Sequence, residues 1–152
     1  KIAVLEKERT QMKEKTLQGY LDDKVGVEIL AAELKNSRRT LGDKITEIHI
    51  EDINGNGEYE ITRQHLLKLC DDTITGNLDA DNLNTIAFAL ISSEYFIWDN
   101  ETVDGRIVSD TISDWDNTEI GFPLTIDNVK RWKAYLLTGE YKFDSRELKR
   151  ST

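Results

Sequence analysis

Residues 81–100, DNLNTIAFALISSEYFIWDN, are the only segment apolar and long enough to make a central buried helix. Leu83, Ile86, Ala87, Phe88, Ala89, Leu90, Ile91, Tyr95, Phe96, Ile97 and Trp98 are its apolar positions, and they cover nearly the whole circumference between Ile86 and Ile91. A helix covered in this way needs neighbours on several sides. The remaining elements are therefore expected to pack around it.

Ahead of this stretch, residues 1–21 carry Ile2, Leu5, Met12, Leu17 and Leu21 among mixed charges, the spacing of an amphipathic surface helix. A second helix from about Val27 places Val27, Leu30, Ala31 and Leu34 on one face. The polar turn between them makes residues 1–43 a helical hairpin, an appendage or oligomerisation arm. At residue 45 the period changes to two. Ile45, Glu47, His49 and Glu51 alternate with Thr46, Ile48, Ile50 and Asp52, and Tyr59 and Ile61 resume the pattern after Asn54-Gly55-Asn56-Gly57. This predicts a β-hairpin over residues 45–62. Helical spacing returns at residues 63–72, 106–115 and 126–137, with Asp79 or Asp81 and Thr125 as N-caps and Gly139 as a left-handed terminator. The expected fold class is α+β and predominantly helical. It has an N-terminal helical hairpin (1–43) and an acidic α+β domain (44–152), whose one β-hairpin and about four helices bundle around the central helix.

The 152 residues are 38% hydrophobic, enough for an ordinary globular core. No apolar run approaches the roughly 20 residues that cross a bilayer, so no membrane association is expected. The charged first residues lack the pattern of a signal peptide, and the missing initiator Met suggests a processed, trimmed or excerpted chain. The single cysteine, Cys70, lies in a helical pattern and is expected to be a buried hydrophobe of a cytoplasmic protein. The net charge of −9 is unevenly spread: residues 45–128 hold only Arg63, Lys68 and Arg106 against eighteen acids. Such a field repels phosphates, which argues against direct nucleic-acid binding by the acidic half and predicts a basic protein partner.

Few residues carry chemistry. Asp52, Asn54, Asn56, Gly57 and Glu60 reproduce the opening of a calcium-binding EF-hand loop, but the twelfth position, which needs a bidentate Glu, is Arg63. A plain turn is the expected reading. His49, His65 and Cys70 have no metal-ligand spacing, and phosphate-cradling and nucleophile-elbow motifs are missing. The chain is therefore expected to be no enzyme and to use no cofactor or metal. Trp98, Trp115 and Trp132 sit beside charges and read as core or core-edge aromatics. Trp115, bracketed by acids, could alternatively anchor a partner at the centre of a charged rim. The expected partner-binding residues are Asp99, Glu101, Asp104, Asp110, Asp114, Trp115, Asp116 and Glu119.

The stretch from HLLKLC to PLTIDNVKRWKAYLLTGEYKF, residues 65–143, combines an acidic helical half, tryptophan–acid pairs and a closing PLT-helix-TGEY segment. In that general character it resembles the small acidic bacterial immunity proteins found beside polymorphic toxins, which neutralise a cognate toxin domain. The resemblance implies a non-catalytic inhibitor that covers a basic partner such as a toxin nuclease, its carboxylates standing in for phosphates. The alternative is a regulatory or scaffold domain of a larger assembly, a homo-oligomer through residues 1–43.

Overall fold

The computed structural model describes residues 12–41, 45–48, 50–51, 57–118 and 120–144, and helices dominate them. The chain is predominantly helical, with short strands. None of the helices among the described residues is long and apolar enough to cross a membrane. The chain divides into two compact units, Lys1–Asn56 and Gly57–Thr152.

In the first unit β1 (Met12–Lys13) leads directly into α1 (Glu14–Leu21), and α2 (Val27–Ser37) follows a turn whose Asp23 has φ 62°. Leu17, Tyr20, Leu21, Leu30 and Leu34 are buried, the apolar faces that amphipathic spacing predicts. Glu33 ties the second helix back to the start of the first. One of its carboxylate oxygens accepts from the Lys13 backbone N–H at 3.0 Å and the other from the Thr16 hydroxyl at 2.8 Å. The expected helix over residues 1–21 is thus replaced at residues 12–13 by a strand, with Met12 buried.

The predicted β-hairpin over residues 45–62 does not form. β2 (Arg38–Leu41) pairs antiparallel with β3 (Ile45–Ile48) in the register Arg38↔Ile48 to Leu41↔Ile45, and β4 (Ile50–Glu51) pairs parallel with β1. Period two marks a strand but not its partner. Only three residues separate Leu41 from Ile45, a shorter closure than the glycine-rich path from Glu51 to Tyr59. β3 and β4 accordingly fall in the first compact unit. His49 and residues 52–56, which include the EF-hand-like run, lie outside the described residues.

The second unit contains β5 (Tyr59–Glu60), α3 (Arg63–Ile74), α4 (Ala80–Ser92), β6 (Phe96–Ile97), α5 (Val103–Asp116) and α6 (Ile126–Thr138). α3 starts on a capping box: Thr62 Oγ1 accepts from the His65 N–H, and His65 Nδ1 accepts from the Thr62 N–H at 3.0 Å. An accepting Nδ1 places the ring proton of neutral His65 on Nε2, 3.3 Å from the Tyr59 hydroxyl. α6 begins at Thr125, whose hydroxyl accepts from the Asn128 N–H, and ends at Gly139 with φ 80°, as the sequence predicts.

The stretch 81–100 is not one helix. α4 stops at Ser92, where the Ser93 hydroxyl accepts from the Tyr95 and Phe96 N–H groups, and the chain turns into β6. β6 pairs parallel with β5, Tyr59↔Phe96 and Glu60↔Ile97, and Tyr59 rests against Tyr95 and Phe96 at 6.1 and 5.8 Å. Aromatic residues gain more from this cross-strand packing than from extending a helix. Phe88 and Ile91 are 39% and 46% exposed, so α4 is one-sided. α5 packs against α3, α4 and α6, and Ile107, Val108, Thr111, Ile112 and Trp115 are among its buried residues.

Arg63 joins three of these elements. Its Nε donates to the Leu136 carbonyl at 2.7 Å, and Nη1 pairs with Asp104 at 2.8 Å. Leu136 lies in the last turn of α6, where carbonyls lack helical partners and attract a cation. Arg63→Ala is expected to cost about 1–2 kcal/mol, mostly through the carbonyl bond, because the Asp104 side chain is 75% exposed and its ion pair is well screened. Denaturant unfolding followed by tryptophan emission checks this. A loss below a few tenths of a kcal/mol would show that water replaces the guanidinium freely.

Candidate protein-binding site

The residues expected to meet a partner are set out by α5 and the loop ahead of it. Asp99 builds that loop: one carboxylate oxygen accepts from the Glu101 N–H at 2.9 Å, and its carbonyl accepts from the Thr102 N–H and hydroxyl. The Thr102 hydroxyl also accepts from the Gly105 N–H at 2.9 Å, capping α5. Asp104 follows in the first turn, where the helix dipole favours a carboxylate. Asp99, Glu101 and Asp104 are all exposed on this hydrogen-bonded frame.

Farther along α5 the acids have internal partners. Asp110 accepts from the Tyr135 hydroxyl at 2.7 Å. Asp114 accepts from Trp132 Nε1 at 3.0 Å and from the Tyr141 hydroxyl. Burial raises the Asp114 carboxyl above the ordinary aspartate range against the opposing pull of these two donors, and burial also raises Asp116. The Asn84 side-chain amide donates to the carbonyls of Trp115 and Asp116, holding the end of α5 to α4.

Trp115 corrects the expectation of an aromatic anchor. Its side chain is 0% exposed and meets Trp132 edge-on at 6.4 Å, so no partner can reach it in this fold. It lies on the same helical stripe as Val108, Thr111 and Ile112, which face the core, and the adjacent acids do not turn it outward. Glu119 lies outside the described residues. Asp104 and Asp116 are twelve residues apart on α5, roughly 18 Å, so the seven expected residues that are described do not gather in one patch. They separate into an exposed group at the start of α5, a tyrosine-bonded pair along it, a core tryptophan and an acid at its end.

A cleft of about 450 Å³ opens beside the first group. Ile61, Leu67, Val108 and Leu136 form its apolar floor, and Glu60, Arg63, Trp98, Asp99 and Asp104 stand among its lining residues. Glu60 and Trp98 escape sequence reasoning as site residues. The parallel pairing that sets Glu60 beside Ile97 joins strands thirty-seven residues apart, and no local signal records it. A second recess, about 430 Å³, is lined by Asp110, Ser113, Asp114, Tyr135 and Tyr141.

The tyrosine–aspartate pairs have a measurable signature. Burial, and then the bond to Asp110, pushes the Tyr135 phenol up to about 12, and burial with the Asp114 bond raises Tyr141. An unfolded tyrosine ionises near ~10, so the stability these phenols contribute is complete below that pH. It is lost as pH rises through the folded-state values. A tyrosinate absorbance titration should therefore show Tyr135 ionising late, and Asp110→Asn should bring it down. An ordinary Tyr135 midpoint in the unsubstituted chain would show that the Asp110 bond does not persist in solution.

Cys70 is fully buried in α3, and burial followed by the neighbouring Asp71 charge pushes its thiol up, leaving it a poor nucleophile. Among the described residues no group of three or more His, Cys, Asp or Glu side chains could hold a metal ion. Compared with protein-family models, with curated proteins and with solved structures, the chain matches none.

Proposed function

We propose that this chain is a non-catalytic, immunity-type inhibitor whose Gly57–Thr152 unit covers a basic protein partner such as a toxin nuclease. The observation that carries the reading is the exposed trio Asp99, Glu101 and Asp104 on a hydrogen-bonded loop at the start of α5, with the Asp99 carboxylate accepting from the Glu101 N–H, the Asp104 carboxylate paired with Arg63 and the cleft beside them. The held carboxylates of Asp99 and Asp104 lose little freedom on binding, and the common sign of all three steers a basic surface toward them. Asp110 and Asp114 then act within the fold, positioning α6, and add to the field without needing to touch the partner.

The test is calorimetric titration of the full chain with the basic nuclease domain encoded by a neighbouring gene. A one-to-one complex whose affinity falls as salt is raised is expected, and the double variant Asp99→Lys, Glu101→Lys should weaken it by about tenfold or more. Absence of any complex would sink the proposal. A homodimer detected by light scattering, lost on deleting residues 1–43 and unaffected by the nuclease, would favour the scaffold reading instead.

A further inference from the structure

We propose, resting on that reading, that the cleft beside the start of α5 is a socket for one arginine side chain presented by the partner. The approximately 450 Å³ cleft falls within the range of formed ligand pockets. Its lining combines a buried apolar floor with Glu60, Asp99 and the half-buried Trp98. These are three requirements of a guanidinium on a hydrocarbon stem: apolar surface for the methylenes, a ring face for the cation and carboxylates for the N–H groups.

The resident guanidinium does not satisfy this set. Arg63 is committed to the Leu136 carbonyl and to Asp104, and among the described residues neither Glu60 nor Asp99 forms an ion pair. Three carboxylates against one bonded cation leave the cleft negative, which argues against an anionic occupant. A purely apolar occupant would desolvate the Glu60 carboxylate and the second oxygen of Asp99, whose first accepts from the Glu101 N–H, without giving them donors. Arginine suits the cleft better than lysine because its planar fork can stack on Trp98 and donate to two carboxylates at once.

The probe is acetyl-Gly-Arg-Gly-amide titrated into the full, nitrogen-15-labelled chain, with the isosteric but uncharged citrulline peptide as control. The readout is the indole N–H resonance of Trp98, assigned by its disappearance in Trp98→Phe. Saturable movement of that resonance with the arginine peptide, and affinity at least about tenfold weaker in Glu60→Gln, Asp99→Asn, are expected. Both replaced side chains are exposed, and Asn keeps an acceptor for the Glu101 N–H. Equal responses to arginine and citrulline, or an unchanged affinity in the double variant, would overturn the socket. Movement confined to resonances at Asp110 and Asp116 would also overturn it while leaving the acidic-inhibitor reading standing. Failure of the nuclease titration alongside a specific Trp98 response would remove that reading and keep the arginine socket.

Discussion

Replacing Gly105 by alanine lowers the thermal midpoint of the Gly57–Thr152 unit by roughly 10–20 °C, the response expected of about 3 kcal/mol lost from a domain of this size. A Cβ built on Gly105 would lie 1.6 Å from the Asp99 carbonyl oxygen, 2.5 Å from its carbonyl carbon and 2.9 Å from Thr102 Oγ1. Two of these atoms are backbone, so no side-chain rotation relieves the clash. The loop must leave the start of α5, breaking the bonds from Thr102 to the Asp99 carbonyl. Intrinsic propensity points the other way, since alanine favours a helix over glycine by about 1 kcal/mol. A lowered midpoint would thus isolate the close approach, and an unchanged or raised one would show that the loop relocates at no cost. All three tryptophans belong to this unit, so near-ultraviolet circular dichroism follows its melting in the full chain. The same variant should displace Asp99 and weaken both the proposed rim and the arginine socket.

Trp132→Ala is expected to be at least as damaging, costing about 3–5 kcal/mol and bringing a marginally stable unit close to unfolding. The ring is 0% exposed, meets Trp115 edge-on and lies 4.9 Å from Phe143, which in turn carries Arg131 over its face. Deleting it opens a void between α5 and α6 and removes the surface on which the chain beyond Gly139 rests. Trp132→Phe separates packing from hydrogen bonding. It keeps an aromatic ring but removes the Nε1 donor from the half-buried Asp114, for an expected cost of about 1–2 kcal/mol in urea unfolding. A phenylalanine variant as unstable as the alanine variant would place most of the stabilisation in the Asp114 bond rather than in the buried ring.

The same region separates what local sequence carries from what it does not. Thr125 and Gly139 bound α6 correctly because a cap is decided within about four residues, by one side-chain oxygen and one left-handed φ. The burial of Trp115 and Trp132 follows from their helical stripes, and the crowding of carboxylates around α5 is visible in composition alone. The end of α4 was hidden because residues 93–98 are apolar enough to extend a helix and equally suited to a strand. Ser93 and the aromatic contacts with Tyr59 decide between the two, and Tyr59 is distant in the chain.

By itself, then, the sequence determined the helical character, the helix caps, the buried tryptophans and the acidic field, all of which depend on neighbours within a few residues or on composition. Only the tertiary structure decided which strands pair, that α5 rather than α4 packs against three helices, and which acids face water rather than a tyrosine. Those outcomes depend on partners far along the chain, chosen by loop closure and by competition for buried surface. The cleft beside Asp99 is of that kind: its floor, its carboxylates and its tryptophan come from three separate stretches of chain, 60–67, 98–108 and 136–137, that meet only once the unit has folded.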